Sequence, residues 1–148
     1  GFRTAEVVEP LTTSGLSQWR KKMGRAIAMQ PWLTLCGAAD SAVPVIQSQS
    51  SWLDGMNFKD AAIDVLILRN DAGTAQQILY LETAIAPEGP WTAIATYNTG
   101  GYQHDIKYFT TTNGATNSFE RFIRWRLDID VATLADWETC FRICAVVK

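Results

Sequence analysis

The stretch ERFIRWRLDID, residues 120–130, alternates apolar and polar side chains with a period of two. Successive side chains of a strand point to opposite faces, so Ile123, Trp125, Leu127 and Ile129 form one row and Phe122, Arg124, Arg126 and Asp128 the other. The first row belongs in a core; the second suits a solvated face or a contact with a neighbouring subunit. Such a strand cannot stand alone. It needs hydrogen-bonded neighbours along its edges and a second layer over its apolar row. The run WETCFRICAVV, residues 137–147, repeats the pattern, with Trp137, Thr139, Phe141, Ile143 and Ala145 on one side and Glu138, Cys140, Arg142 and Cys144 on the other. Arg142 is expected beside Arg124 or Arg126, with Glu138 or Glu120 between them.

Runs of the same kind at 61–70, 76–85, 91–98 and 104–112 are separated by NDAGT, APEGP, Gly100–Gly101 and Asn113–Gly114, all turn signals. VPVIQSQSSWLDG, residues 43–55, reads as a further strand running into a turn at Asp54–Gly55. No amphipathic helix lies among them. Seven or eight short strands so punctuated predict an all-β domain over residues 43–148, an antiparallel β-sandwich of jelly-roll type. A chain of 148 residues buries enough surface to fold without metal or disulfide help. Most of its six tryptophans are expected in the core. Trp91, directly after APEGP, is expected to open a strand and point inward.

Residues 1–42 lack this order. VVEPLTTSGLSQW is irregular, and Gly24 and Pro31 interrupt any helix in RKKMGRAIAMQPW, leaving one short strand near Trp32–Cys36. Residues 1–39 carry five basic and two acidic side chains; residues 40–148 carry eight and thirteen, for a chain total of −2. The segment therefore reads as an extended basic arm before an acidic body. Its apolar residues, Met23, Ile27, Met29, Leu33 and Leu35 among them, are costly to leave in water. The arm is thus expected to dock on its own body or on another chain, through Trp19, Arg20, Lys21, Lys22, Arg25 and Trp32, with opposite potentials orienting the contact. The basic cluster is short and the protein net acidic, so nucleic acid is not the expected partner.

The chain shows no arrangement that catalysis needs. His104 is the only histidine and lies in GGYQHDIKY, and no nucleophile elbow or phosphate loop is present. Glu82, Glu120, Asp128 and Asp130 sit in no recognisable motif. No catalytic residue, metal ligand or cofactor is assigned. The three cysteines, Cys36, Cys140 and Cys144, have no framework spacing. Cys140 and Cys144 are about 13 Å apart along a strand, beyond disulfide reach. Reduced thiols in a chain made in the cytoplasm are expected, with a bridge from Cys36 left open. No apolar run is long enough for a membrane helix, and no signal peptide is evident.

LYLETAIAPEGPWTAIATYN followed by ERFIRWRLDI resembles jelly-roll sandwich modules, on Leu81, Trp91, Arg121, Ile123 and Arg124. The pattern is similar to that of small phage proteins that decorate or cement capsids and, less closely, to discoidin-like and carbohydrate-binding modules. The first likeness implies a non-enzymatic structural protein of a large particle such as a virion. Its partners would be copies of itself or a major shell protein, clasped by the arm. The second implies a secreted module in which Trp52, Trp91, Tyr97 and Tyr102, all near turns, stack on carbohydrate.

Overall fold

A computed structural model describes residues 24–37, 44–70, 77–98, 101–111, 117–129 and 137–148. Nine strands account for most of them: β1 (Arg25–Gly37), β2 (Val45–Ile46), β3 (Leu53–Asp54), β4 (Asp60–Asn70), β5 (Gln77–Ala84), β6 (Thr92–Asn98), β7 (Gln103–Thr110), β8 (Phe122–Ile129) and β9 (Trp137–Val147). Two single turns of 3-10 helix flank β3, and no α-helix occurs among the described residues.

The pairing follows a nested hairpin. β5 pairs with β6, β4 with β7, β2 and β3 with β8, and β1 with β9, all antiparallel. Rolled up, this hairpin gives a first sheet in the order β1-β9-β4-β7 and a second in the order β2-β8-β5-β6. β2 and β3 meet successive parts of β8 and serve as one interrupted strand. This is the two-sheet jelly roll, in which pairing every strand on at least one side leaves few exposed edges.

The rows expected from alternation form the core. Ile123, Trp125 and Leu127 of β8 face Phe141, Ile143 and Ala145 of β9, all at most 3% exposed. Ile63, Val65 and Ile67 of β4 and Leu79 and Leu81 of β5 complete it. The Trp125 and Phe141 rings meet edge to face, 5.0 Å between centroids, a favoured aromatic geometry.

β1 corrects the reading of residues 1–42 as an irregular arm holding one short strand. The strand runs thirteen residues, pairs with β9 along its length, and buries Met29 with Ile27, Leu33 and Leu35 packed against the core. Two register shifts, between Ala28 and Gln30 and between Gln30 and Leu33, take up the irregularity around Pro31. Proline lacks a donor and is tolerated on an edge strand at a bulge, which is why it does not end this one. At the end of β1 the Trp137 indole lies 2.6 Å from where a Cβ on Gly37 would stand, so only glycine lets the strand close on β9.

Candidate functional site

The outer side of the second sheet carries the Arg row of β8. Phe122, Arg124, Arg126 and Asp128 point away from the core, as alternation requires, yet all are at least half-buried. The 47–58 segment and the 85–91 turn bring Trp52 and Trp91 over them.

Glu82 of β5 stands between the two arginines because its register partner on β8 is Arg124. Its Oε1 accepts from Arg124 Nε at 3.1 Å and its Oε2 from Arg126 Nε at 2.8 Å. Arg126 Nη1 also donates to Asp128 Oδ2 at 2.6 Å. Burial opposes the charge on Arg126, but the bond and field of Glu82 and the field of Asp128 outweigh it and raise its pKa. Arg124 lies 3.8 Å above the Trp91 ring and 5.3 Å from Trp52, while Arg126 lies 4.2 Å above Tyr80. Each guanidinium thus has a carboxylate in its plane and an aromatic face against it, the arrangement arginine suits and lysine does not. At the rim, Arg121 donates through Nε and Nη2 to Asp54 at 3.2 and 3.1 Å. These bonds hold the Asp54 carboxyl below its ordinary range.

The expected carboxylate partners of the arginines are corrected: Glu82 takes that place, not Glu120 or Glu138. Arg142 is on the other sheet, with its guanidinium 5.4 Å from the Trp32 ring. Trp91 does not point inward. It is half-buried on the outer face, with its indole N–H donating to the Pro87 carbonyl at 3.2 Å. Trp52 likewise donates to the Gln47 carbonyl at 2.9 Å. The two indoles meet edge-on, 4.8 Å apart at 71°, so they offer no coplanar platform for a sugar ring. Tyr97 is corrected as a ligand aromatic, since it faces the core at 4% exposure. Burial, with Asp105 adding negative charge, raises its phenol pKa well above the usual value. Tyr102 is exposed and directly precedes β7, a strand of the other sheet. Of the arm residues, Arg25 is exposed with its guanidinium over Phe58, Trp32 is on the outer side of the first sheet, and Trp19, Arg20, Lys21 and Lys22 lie outside the described residues.

The arrangement holds charges rather than moving protons. Both Glu82 oxygens are engaged, and Arg126 stands between the Glu82 and Asp128 carboxylates. His104 is exposed and bonded through Nε2 to Asp64 at 2.7 Å. Among the described residues no group of three or more His, Cys, Asp or Glu is placed to hold a metal, and no helix is long and apolar enough to cross a membrane.

No protein-family model matches the chain, and no curated protein does. Solved structures do. A Bacillus endospore appendage, from a family of disulfide-linked pili, is 17% identical over 85% of this chain and 94% of its own, with a TM-score of 0.39. The VP2 subviral particle of infectious bursal disease virus is 10% identical over 83% of this chain and 31% of its own, at 0.47. A Clostridium thermocellum xylanase fragment with a CBM22 module is 15% identical over 82% of this chain and 27% of its own, at 0.38.

Sequence reasoning missed Gln47. Its Nε2 donates to the Met29 carbonyl at 2.7 Å and the Ser51 carbonyl at 2.9 Å, and its Oε1 accepts from the Trp125 amide at 3.2 Å. It ties β1 of one sheet to β8 of the other. One polar letter after VPVI gives no sign of partners eighteen and seventy-eight positions away.

Proposed function

We propose that this chain is a non-enzymatic structural subunit that assembles into a larger particle, of virion type in the reading closest to the sequence resemblance. One observation carries the proposal: the arginine row of the second sheet is paired and covered within the molecule, while the outer face of the first sheet exposes Trp32, Leu68, Ile106, Tyr108 and Val146 with none of the described residues over them. Monomers rarely leave such a surface uncovered. The basic segment before β1 is the expected clasp to a neighbouring copy, through Trp19, Arg20, Lys21 and Lys22 with Arg25 at the strand's start.

The test is the mass in solution, by light scattering, of the full chain and of a chain lacking residues 1–23, a truncation that leaves β1 whole. Assembly of the full chain supports a structural subunit, and its loss on truncation supports the clasp. A full chain that stays monomeric at every accessible concentration removes the proposal, and binding on a glycan array would put the carbohydrate module in its place.

A further inference from the structure

The outer face of the first sheet is formed by the alternate residues of β1, β9, β4 and β7 that do not enter the core. Register sets them in rows across the four strands: Ala26, Val146, Ala62 and Tyr108 in one, Ala28, Cys144, Asp64 and Ile106 in the next. Five large side chains on this face stand in solvent: Trp32 (49% exposed), Leu68 (45%), Ile106 (46%), Tyr108 (72%) and Val146 (44%). Half-buried Leu66 and Cys140 lie among them. The face carries charge as well: Asp64 is bonded to His104 at 2.7 Å, Arg142 lies against the Trp32 ring, and exposed Glu138 stands on the same row of β9.

We infer that this face packs against the same face of a second copy of the chain, sheet on sheet about a twofold axis. The inference rests on the assembly reading and names the surface that reading needs. Four strands at about 4.8 Å spacing and some eight residues of about 3.4 Å each make a face of roughly 500 Å² in projection. With side chains standing above it, that approaches the ~800 Å² per partner of an ordinary stable interface. The exposed centre of the face is apolar and its described charges are of both signs, which a second copy of the same face can match. It also carries its own complement. At one end Ala62, Tyr108, Phe109 and Val146 line a groove of about 470 Å³ together with the charged Asp60 and Lys148. The most exposed of the five apolar side chains, Tyr108, rises beside it. A patch that offers both projection and recess is self-complementary, as a twofold contact demands.

The two edges of the first sheet, β1 and β7, favour face packing over strand addition there. β1 is blocked by Pro31 and its two register shifts. On β7, Asp105 and Lys107 pair with the inward-facing Val65 and Ile63, and inward charges also discourage edge pairing.

The test compares the full chain with Ile106→Lys/Val146→Lys by light scattering and by alkylation of Cys144 under native conditions. Leu68→Lys is a second variant on the face and Met56→Lys a control exposed elsewhere. Both face variants alter solvent-exposed positions, and near-UV circular dichroism checks that the core is intact. The expected result is an associated wild type with Cys144 protected, Met56→Lys unchanged, and face variants that are folded monomers with Cys144 freely alkylated. An associated wild type whose face variants remain associated overturns the face and leaves the assembly reading standing. A monomeric wild type overturns both. A monomeric wild type in which removing residues 1–23 unmasks Cys144 assigns the face to the chain's own N-terminal segment and overturns the second copy.

Discussion

At the residue scale the two most informative groups are Glu82 and Tyr97. The Glu82 side chain is 7% exposed and neutralises Arg124 and Arg126, which are 12% and 22% exposed. Glu82→Gln keeps the shape and removes the charge, leaving Arg124 against an amide and Arg126 with Asp128 as its remaining carboxylate. Breaking a buried pair from one side costs more than the pair contributes, so a loss of about 3 kcal/mol is expected from urea unfolding. Arg121→Ala, at the solvated rim with Asp54, should leave the midpoint unchanged within error, because exposed pairs contribute little. Tyr97 sets an alkaline limit. Its unfolded phenol titrates near 10.0, and in the folded chain the pKa is raised by burial and by Asp105. Above pH 10 the unfolded state therefore gives up a proton that the folded state keeps, and rising pH favours unfolding. This contribution is whole below pH 10 and is lost as pH climbs above it. Tyr97→Phe should flatten the decline, read as urea midpoints from pH 8 to 11.

Among elements, β1 and the interrupted β2–β3 strand depart furthest from simple alternation. Both are stabilised by contacts distant in sequence. The Gln47 N–H still donates to the Trp125 carbonyl at 3.1 Å, while its side-chain oxygen takes the Trp125 amide that the β2 backbone leaves, and its side-chain nitrogen reaches across to β1. Gln47→Leu strips partners from two carbonyls and one amide, and an unsatisfied buried group costs roughly 1–3 kcal/mol, so a loss of about 3 kcal/mol in total is expected. Hydrogen exchange should show the amides of β1 opening before those of β9 in this variant. The seven-residue runs and longer that alternate cleanly, β4 to β9, were legible within a residue or two of their ends. β1 was not, because Pro31 and the two bulges break its period just where a period is read. The candidate site was legible only in pieces. Arg124, Arg126, Trp52 and Trp91 could be named, but Glu82 is their partner through the register of β5 on β8, which no local pattern encodes.

For the molecule as a whole, the roll-up places all three cysteines on the outer side of one sheet. Cys36 pairs with Glu138, Cys140 with Thr34 and Cys144 with Ala28, and all are free thiols. Cys36 and Cys140 sit diagonally, at the ~7–8 Å typical of such neighbours, beyond ordinary disulfide reach. The chain unfolded in urea without reductant should therefore titrate three thiols, by mass shift on alkylation; fewer would mean the bridge from Cys36 that sequence left open. The same roll-up decides which faces meet water. Alternation by itself determined that residues 122–128 and 137–147 each split into an apolar and a polar row, and turn residues determined where the strands end. These are local properties, since side-chain direction depends only on position along the strand. Which layer covers which row is a non-local matter of loop paths and register. The tertiary structure closed Trp52 and Trp91 over the arginine row because the 47–58 segment and the 85–91 turn cross the second sheet, while among the described residues nothing crosses the row of Cys140, Cys144 and Val146.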